Sequence, residues 1–90
     1  MVLLISYDLV DGARPQNYEA VKTAIEQHAI AAERPLYSQW LVETDDDVAI
    51  WSQRLLGLMT TNDRLLILRV TVPYQGWLPQ QTWEWLRPRL

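Results

Sequence analysis

The stretch VLLISYDL, residues 2–9, is apolar on both of its alternating faces and ends close to a carboxylate, Asp8. Successive side chains of a strand point to opposite faces, so this pattern predicts a strand that is covered on both sides. The two faces hold Leu3, Ile5, Tyr7 and Leu9 on one side and Val2, Leu4, Ser6 and Asp8 on the other. RLLILRVTV at 64–72 has the same character and predicts a second such strand, closed by Pro73.

A helix is predicted between these strands, after the breakers Gly12 and Pro15. Asn17 is a suitable cap, and we expect the helix over residues 18–31. ERPLYSQWLVET at 33–44 is rich in β-forming residues, and Pro35 indicates an edge position. This stretch is either one bent strand or a tight pair broken near Ser38.

A second helix is predicted after TDDD, because Thr44 and Asp47 have the spacing of a capping box. It ends near Met59, and its apolar face holds Val48, Trp51, Leu55 and Leu58. Residues 76–90 form an aromatic tail in which Pro79 begins a short helix.

The predicted order of elements is that of an α+β, ferredoxin-like β-α-β-β-α-β sandwich, an antiparallel sheet with two helices on one face. Two helices cover one face only, so the other face would expose a large apolar patch. We therefore expect a homodimer that packs through the sheet face about a twofold axis. Residues 1–75 would form the domain, and residues 76–90 would pack on it or on the dimer partner.

The composition limits the function classes. The chain has no cysteine, which excludes a disulfide framework, thiolate metal sites and a cysteine nucleophile. Its net charge of −3 argues against a general polyanion binder, so any basic surface must be local. No apolar run approaches the roughly 20 residues of a membrane span, and no targeting pattern precedes VLLI. We expect a soluble, unprocessed, cytoplasmic protein.

Several other residue types invite a functional interpretation, but a structural one fits them better. His28 has no second histidine or cysteine to work with, and Asp45–Asp47 suit a helix cap. Ser38 has no acid or base partner in sequence. Trp40 and Trp51 suit the core. The tail residues Trp77, Trp83 and Trp85 favour packing over base stacking.

The sequence resembles the CRISPR-associated protein two family and its relative, virulence-associated protein D. The resemblance rests on four stretches in this order: LLISYDL, a polar loop with Arg14, YSQW and RLLILRV. In that family the first strand ends hydrophobic-Tyr-Asp, and a Tyr-Ser-x-aromatic stretch occupies the second and third strands. The resemblance spans residues 2–72. Two features depart from the family pattern: Pro15 stands where the family often has a basic residue, and the aromatic tail is an addition. Both would suit a stand-alone homologue.

The resemblance implies a ferredoxin-like dimer of antiviral defence. Its members are metal-dependent endonucleases acting on RNA or DNA, or non-catalytic scaffolds for DNA during spacer acquisition beside a CRISPR integrase. It implies that Asp8 is the catalytic, metal-binding acid and that Arg14 contacts nucleic acid. Arg34 is a second candidate for that contact, since it can share a rim with Arg14.

The implied metal chemistry suits one carboxylate per subunit. Mg²⁺ keeps several waters and needs one or two carboxylates besides substrate phosphate, so two copies of Asp8 across a twofold axis would suffice. The structural alternative is that Asp8 caps a loop or pairs with Arg14. Three hypotheses stay open: a Mg²⁺-dependent nuclease, a silent scaffold for DNA or a protein partner, and a small regulatory ligand-binding dimer.

Overall fold

The segment Val2–Asp8 forms β1, a central strand of the only sheet in the part of the chain that is described, residues 1–9 and 15–90 of a computed structural model. The other elements of these residues are α1 Pro15–His28, β2 Ala31–Leu36, β3 Gln39–Glu43, α2 Val48–Leu56, β4 Arg64–Arg69 and α3 Gln80–Leu86, followed by the 3-10 turn Arg87–Arg89. The protein is a small α+β fold.

The sheet has the strand order β2-β3-β1-β4, and every neighbouring pair is antiparallel. In this register Leu4 of β1 lies between Leu41 of β3 and Leu68 of β4. The stretch that the sequence left as one bent strand or a pair is a pair, β2 and β3, joined at Tyr37–Ser38. Pro35 lies in β2, an edge strand, where its missing N–H costs no ladder hydrogen bond on the open side.

The larger core lies between the sheet and the helices α1 and α2. Trp51 of α2 is fully buried, and its indole Nε1 donates to Thr44 Oγ1 at 3.0 Å. The buried residues of this core are Leu3, Ile5, Tyr7, Leu9, Val21, Ile25, Trp40, Val42, Trp51 and Leu55. One complete face of β1 is among them, as the alternation of the sequence predicted.

The second face of the sheet carries α3, a helix of the aromatic tail, whose packing the sequence left open between the domain and the dimer partner. Leu86 of α3 packs with Val2 and Leu41 in a smaller buried cluster. Polar contacts fasten the same segment, because Thr82 Oγ1 donates to Glu33 Oε1 at 3.4 Å and Arg89 Nε donates to Glu43 Oε1 at 3.0 Å. The face is therefore partly covered by the chain itself.

Two helix starts differ from the predicted ones. α1 begins at Pro15 instead of near residue 18, because proline has no N–H to lose and its fixed φ suits the first helical position. In α2 the cap is Asp47 alone, whose carboxylate accepts from Ile50 N at 3.0 Å. Thr44 lies before the helix start, where its buried hydroxyl accepts from Asp46 N at 3.1 Å and from the Trp51 indole.

Helices that could cross a membrane are absent from residues 1–9 and 15–90, since none is both long and apolar enough.

Candidate nucleic-acid interface

Asp8 lies at the end of β1 and is exposed, on the face of the sheet opposite to α1 and α2. Leu4 and Ser6 lie on the same face of β1 as Asp8, as the alternation predicted. A shallow cavity of about 230 Å³ lies beside it, between β1 and β4, with Arg64 and Leu66 in its lining. The carboxylate is thus open to a ligand at the end of a central strand.

Arg64 is directly opposite Asp8 in the β1–β4 register, yet it does not pair with it. Its Nη1 donates instead to the carbonyls of Asn62, at 3.0 Å, and Asp63, at 3.2 Å. Among the described residues, the Asp8 carboxylate makes no hydrogen bond and no ion pair. Sequence reasoning missed Arg64 because its position depends on the strand register, which no single motif reveals.

Arg34, the second predicted nucleic-acid contact, is held between aromatic rings. Its Cζ lies 4.7 Å from the centroid of the Tyr37 ring and 5.3 Å from that of Trp40, and its Nε donates to the Tyr37 carbonyl at 2.9 Å. Tyr37 is 67% exposed and packs against Tyr18 at 5.4 Å between ring centroids. A cation and an exposed ring are therefore presented together.

Tyr7 connects this aromatic cluster to the end of β1. Its backbone N donates to the carbonyl of Ser38 at 3.1 Å, which ties the Tyr37–Ser38 turn to the strand just before Asp8. Its phenol oxygen accepts from Trp40 Nε1 at 3.0 Å. Burial raises the pKa of the Tyr7 phenol, while the hydrogen bond from Trp40 and the charge of Arg34 oppose that rise. Tyr7 is thus a neutral, structural tyrosine at neutral pH. Arg34 lies at the same end of the sheet as Asp8 but on the side of α1, with Trp40 and Tyr37, whereas Asp8 lies on the opposite face.

Arg14, the first predicted nucleic-acid contact, lies outside the described residues. Its relation to Asp8 and to Arg34 stays a prediction.

The residues given structural roles from the sequence are placed as follows. His28 is exposed at the end of α1, edge-on to the Trp51 ring at 6.5 Å. Asp46 pairs with Arg54 at 3.2 Å. Trp40 and Trp51 are buried, as predicted. In the tail, Trp83 stacks on Tyr74 and Trp85 lies under Arg89, whereas Trp77 is almost wholly exposed.

A metal site within one chain would need several ligands close together. No group of three or more His, Cys, Asp or Glu side chains suited to a metal occurs in the described part of the chain. A carboxylate contributed by each of two subunits is a different arrangement, which a single chain cannot display. The exposed oxygens of Asp8 are hard ligands of the type that Mg²⁺ prefers, so this residue fits such a shared site.

The sequence was compared with known protein families and with curated proteins. No family model matches it, and no curated protein matches it.

Proposed function

We propose that the protein is a dimeric, metal-dependent endonuclease resembling CRISPR-associated protein two, in which Asp8 of each subunit is a ligand of a shared Mg²⁺. The observation that carries this proposal is the exposed Asp8 carboxylate at the end of β1, free of ion pairs to described residues although Arg64 lies opposite. A carboxylate with only a structural role at the end of a strand would be expected to form an ion pair with the cation beside it.

The fold supports the proposal. The order β2-β3-β1-β4 with antiparallel neighbours, and one helix between β1 and β2 and another between β3 and β4, suits a ferredoxin-like β-α-β-β-α-β sandwich. In such a fold Asp8 lies on the face left by α1 and α2, where a second subunit could approach. Leu66 and Leu68 on that face are 58% and 40% exposed, which supports an interface there.

The chemistry is divided among residues at this end of the sheet. A bound Mg²⁺ supplies polarisation of a phosphate and a water with a lowered pKa. Asp8 would hold the ion, and a phosphate bound to that ion would lie beside the strand end. The Arg34 guanidinium, on the side of α1 at the same end of the sheet, would bind a different phosphate of the same strand, and its stacking on Tyr37 limits its motion. Arg34 and Tyr37 thus orient the nucleic acid while Asp8 provides the reacting centre.

We infer a single-stranded substrate. The Tyr37 ring is 67% exposed beside a cation, which is the arrangement that stacks on an unpaired base. Duplex binding relies on many phosphate contacts, and a chain with a net charge of −3 is poorly equipped for them.

Cleavage by the wild-type protein is the direct test. We expect Mg²⁺-dependent cutting of single-stranded RNA or DNA, with little cutting of the corresponding duplexes and none after chelation by EDTA. Both RNA and DNA should be offered, because no described contact distinguishes a 2′-hydroxyl. Equal cutting with and without metal would contradict the role given to Asp8.

The second candidate function is a non-catalytic scaffold for DNA or a protein partner, such as a CRISPR integrase in the cytoplasm. This function needs no metal ligand, and the exposed Tyr37 ring beside the Arg34 guanidinium would serve binding without Asp8. Binding without cutting in the assay above would select this function.

Arg34→Ala is expected to weaken binding of a single-stranded oligonucleotide. One phosphate contact is lost, so the slope of log K against log salt should become shallower by about 1. The stacking on Tyr37 and Trp40 is lost with it. Arg69→Ala is the matched control, since Arg69 is an exposed arginine opposite Leu3, at the other end of β1. Fluorescence anisotropy over a salt series measures both. Equal losses for the two variants would show that Arg34 has only a general electrostatic effect.

A further inference from the structure

An apolar groove of about 450 Å³ lies between the second face of the sheet and the segment that leads into α3. Its floor includes Leu4, Leu41 and Leu68 from three adjacent strands. Trp83 forms part of its wall, and Trp77 is at its rim. A groove of this volume can hold a large side chain, but water in it would contact mainly apolar atoms. An apolar occupant is therefore favoured.

Trp77 is the apolar side chain that the fold leaves most exposed among the described residues, at 99%. The contrast with Trp83 is sharp, because Trp83 stacks on Tyr74 with ring centroids 5.9 Å apart and an interplanar angle of 19°. That stack anchors the segment on both sides of Trp77 along the chain. The large aromatic surface of Trp77 is thus held in solvent next to an open apolar groove.

The groove also lacks charge. Its lining residues are uncharged, and the polar ones among them are Gln39 and Gln75 besides the Tyr74 and Trp side chains. Two copies of a chain with a net charge of −3 repel each other at long range, so an uncharged surface is where they can approach most closely. Leu36, 50% exposed, and Leu68, 40% exposed, extend the apolar surface.

We propose that a second copy of the chain fills this groove: Trp77 of each subunit inserts into the groove of the other. The exchange rests on the dimer of the proposed function and adds to it the anchoring residue and its receiving site. A twofold axis makes the contact reciprocal. Trp77 of the first subunit contacts the groove floor of the second, and Trp77 of the second contacts the groove floor of the first. The groove is incomplete in a single chain, and the exposure of Trp77 ends on association.

Trp77→Ala should raise the dimer dissociation constant about 30-fold or more, as removal of a central tryptophan anchor does at other interfaces. Sedimentation equilibrium over a concentration series measures it. The matched control is Leu56→Ala, since Leu56 is 54% exposed on α2, on the other side of the sheet, and its replacement should leave the constant unchanged. If the wild type and Trp77→Ala dimerise equally well, the exchange is wrong and the proposed function is unaffected. A monomeric wild type would overturn the dimer and the exchange together.

A mixing experiment tests the exchange itself. Leu68→Asp places a charge on the groove floor and should also weaken the dimer, while melting of the isolated variant shows whether the subunit still folds. In a mixture of the two variants, Trp77 of the Leu68→Asp subunit can enter the intact groove of the Trp77→Ala subunit. The mixture should therefore associate about tenfold more tightly than either variant alone, because one of two contacts is restored. A mixture no tighter than its components would overturn the reciprocal contact.

Discussion

Removal of residues 76–90 is expected to leave a protein that is largely unfolded or melts far below the full chain. The deletion takes away Leu86, which is 3% exposed, together with Trp83 and Trp85, which pack against the same cluster. Val2 and Leu41, at 1% and 5% exposure, would then face water. Burial of one large apolar side chain is worth about 1.5–3 kcal/mol, and a domain of this size has about 5–15 kcal/mol of stability in all.

A point substitution reports the same packing with less disruption. Leu86→Ala should cost about 2–5 kcal/mol of unfolding free energy, because it removes a buried side chain from a small cluster that cannot collapse fully. Leu56→Ala is the control, since Leu56 is 54% exposed. Urea and thermal denaturation measure both. If the truncated chain melts and associates like the full one but loses nucleic-acid binding, the tail tryptophans act as stacking platforms instead.

The central strand could be predicted because apolar residues on both of its alternating faces indicate that both faces are covered. Leu3 and Ile5 face the α1–α2 core, and Val2 and Leu4 face the α3 cluster, as a strand covered on both sides requires. What covers the second side could not be predicted. Three of the seven residues of α3, Trp83, Trp85 and Leu86, are apolar, but a short amphipathic segment does not specify whether it packs on its own sheet or on another chain.

The candidate site, too, could be predicted from the sequence only in part. Alternation along β1 predicted the face of Asp8, because a period of two admits only two choices. The stacking of Arg34 on Tyr37 was not predictable, since it depends on the β2–β3 hairpin, whose register shifts between Glu33 and Leu36. Such an irregularity changes the direction of the side chains around it and has no reliable motif.

Asp8→Asn is expected to abolish Mg²⁺-dependent cleavage. Asparagine is nearly isosteric with aspartate but has no charge, so it is a weaker ligand for a hard dication. Substitutions beside a bound metal ion cost about 10–100-fold in affinity or activity, and loss of a direct ligand should cost at least the upper figure. The cleavage rate at saturating substrate, titrated with Mg²⁺ and with Mn²⁺, measures the effect. Asp45→Asn is the matched control, because Asp45 is an exposed aspartate in the segment before α2.

Stability separates the proposed catalytic role of Asp8 from a structural one. Asp8 is exposed and makes no ion pair with any described residue, so Asp8→Asn should change the unfolding free energy by less than about 0.5 kcal/mol. In the proposed dimer the change should even stabilise at low metal concentration, since two close carboxylates repel each other without a cation between them. An Asp8 that only fastens the loop predicts the reverse, a loss of about 1 kcal/mol with activity unchanged. If the wild type cuts nothing with either metal but binds single strands, the scaffold function replaces the nuclease, and Asp8→Asn should then leave that binding unaffected.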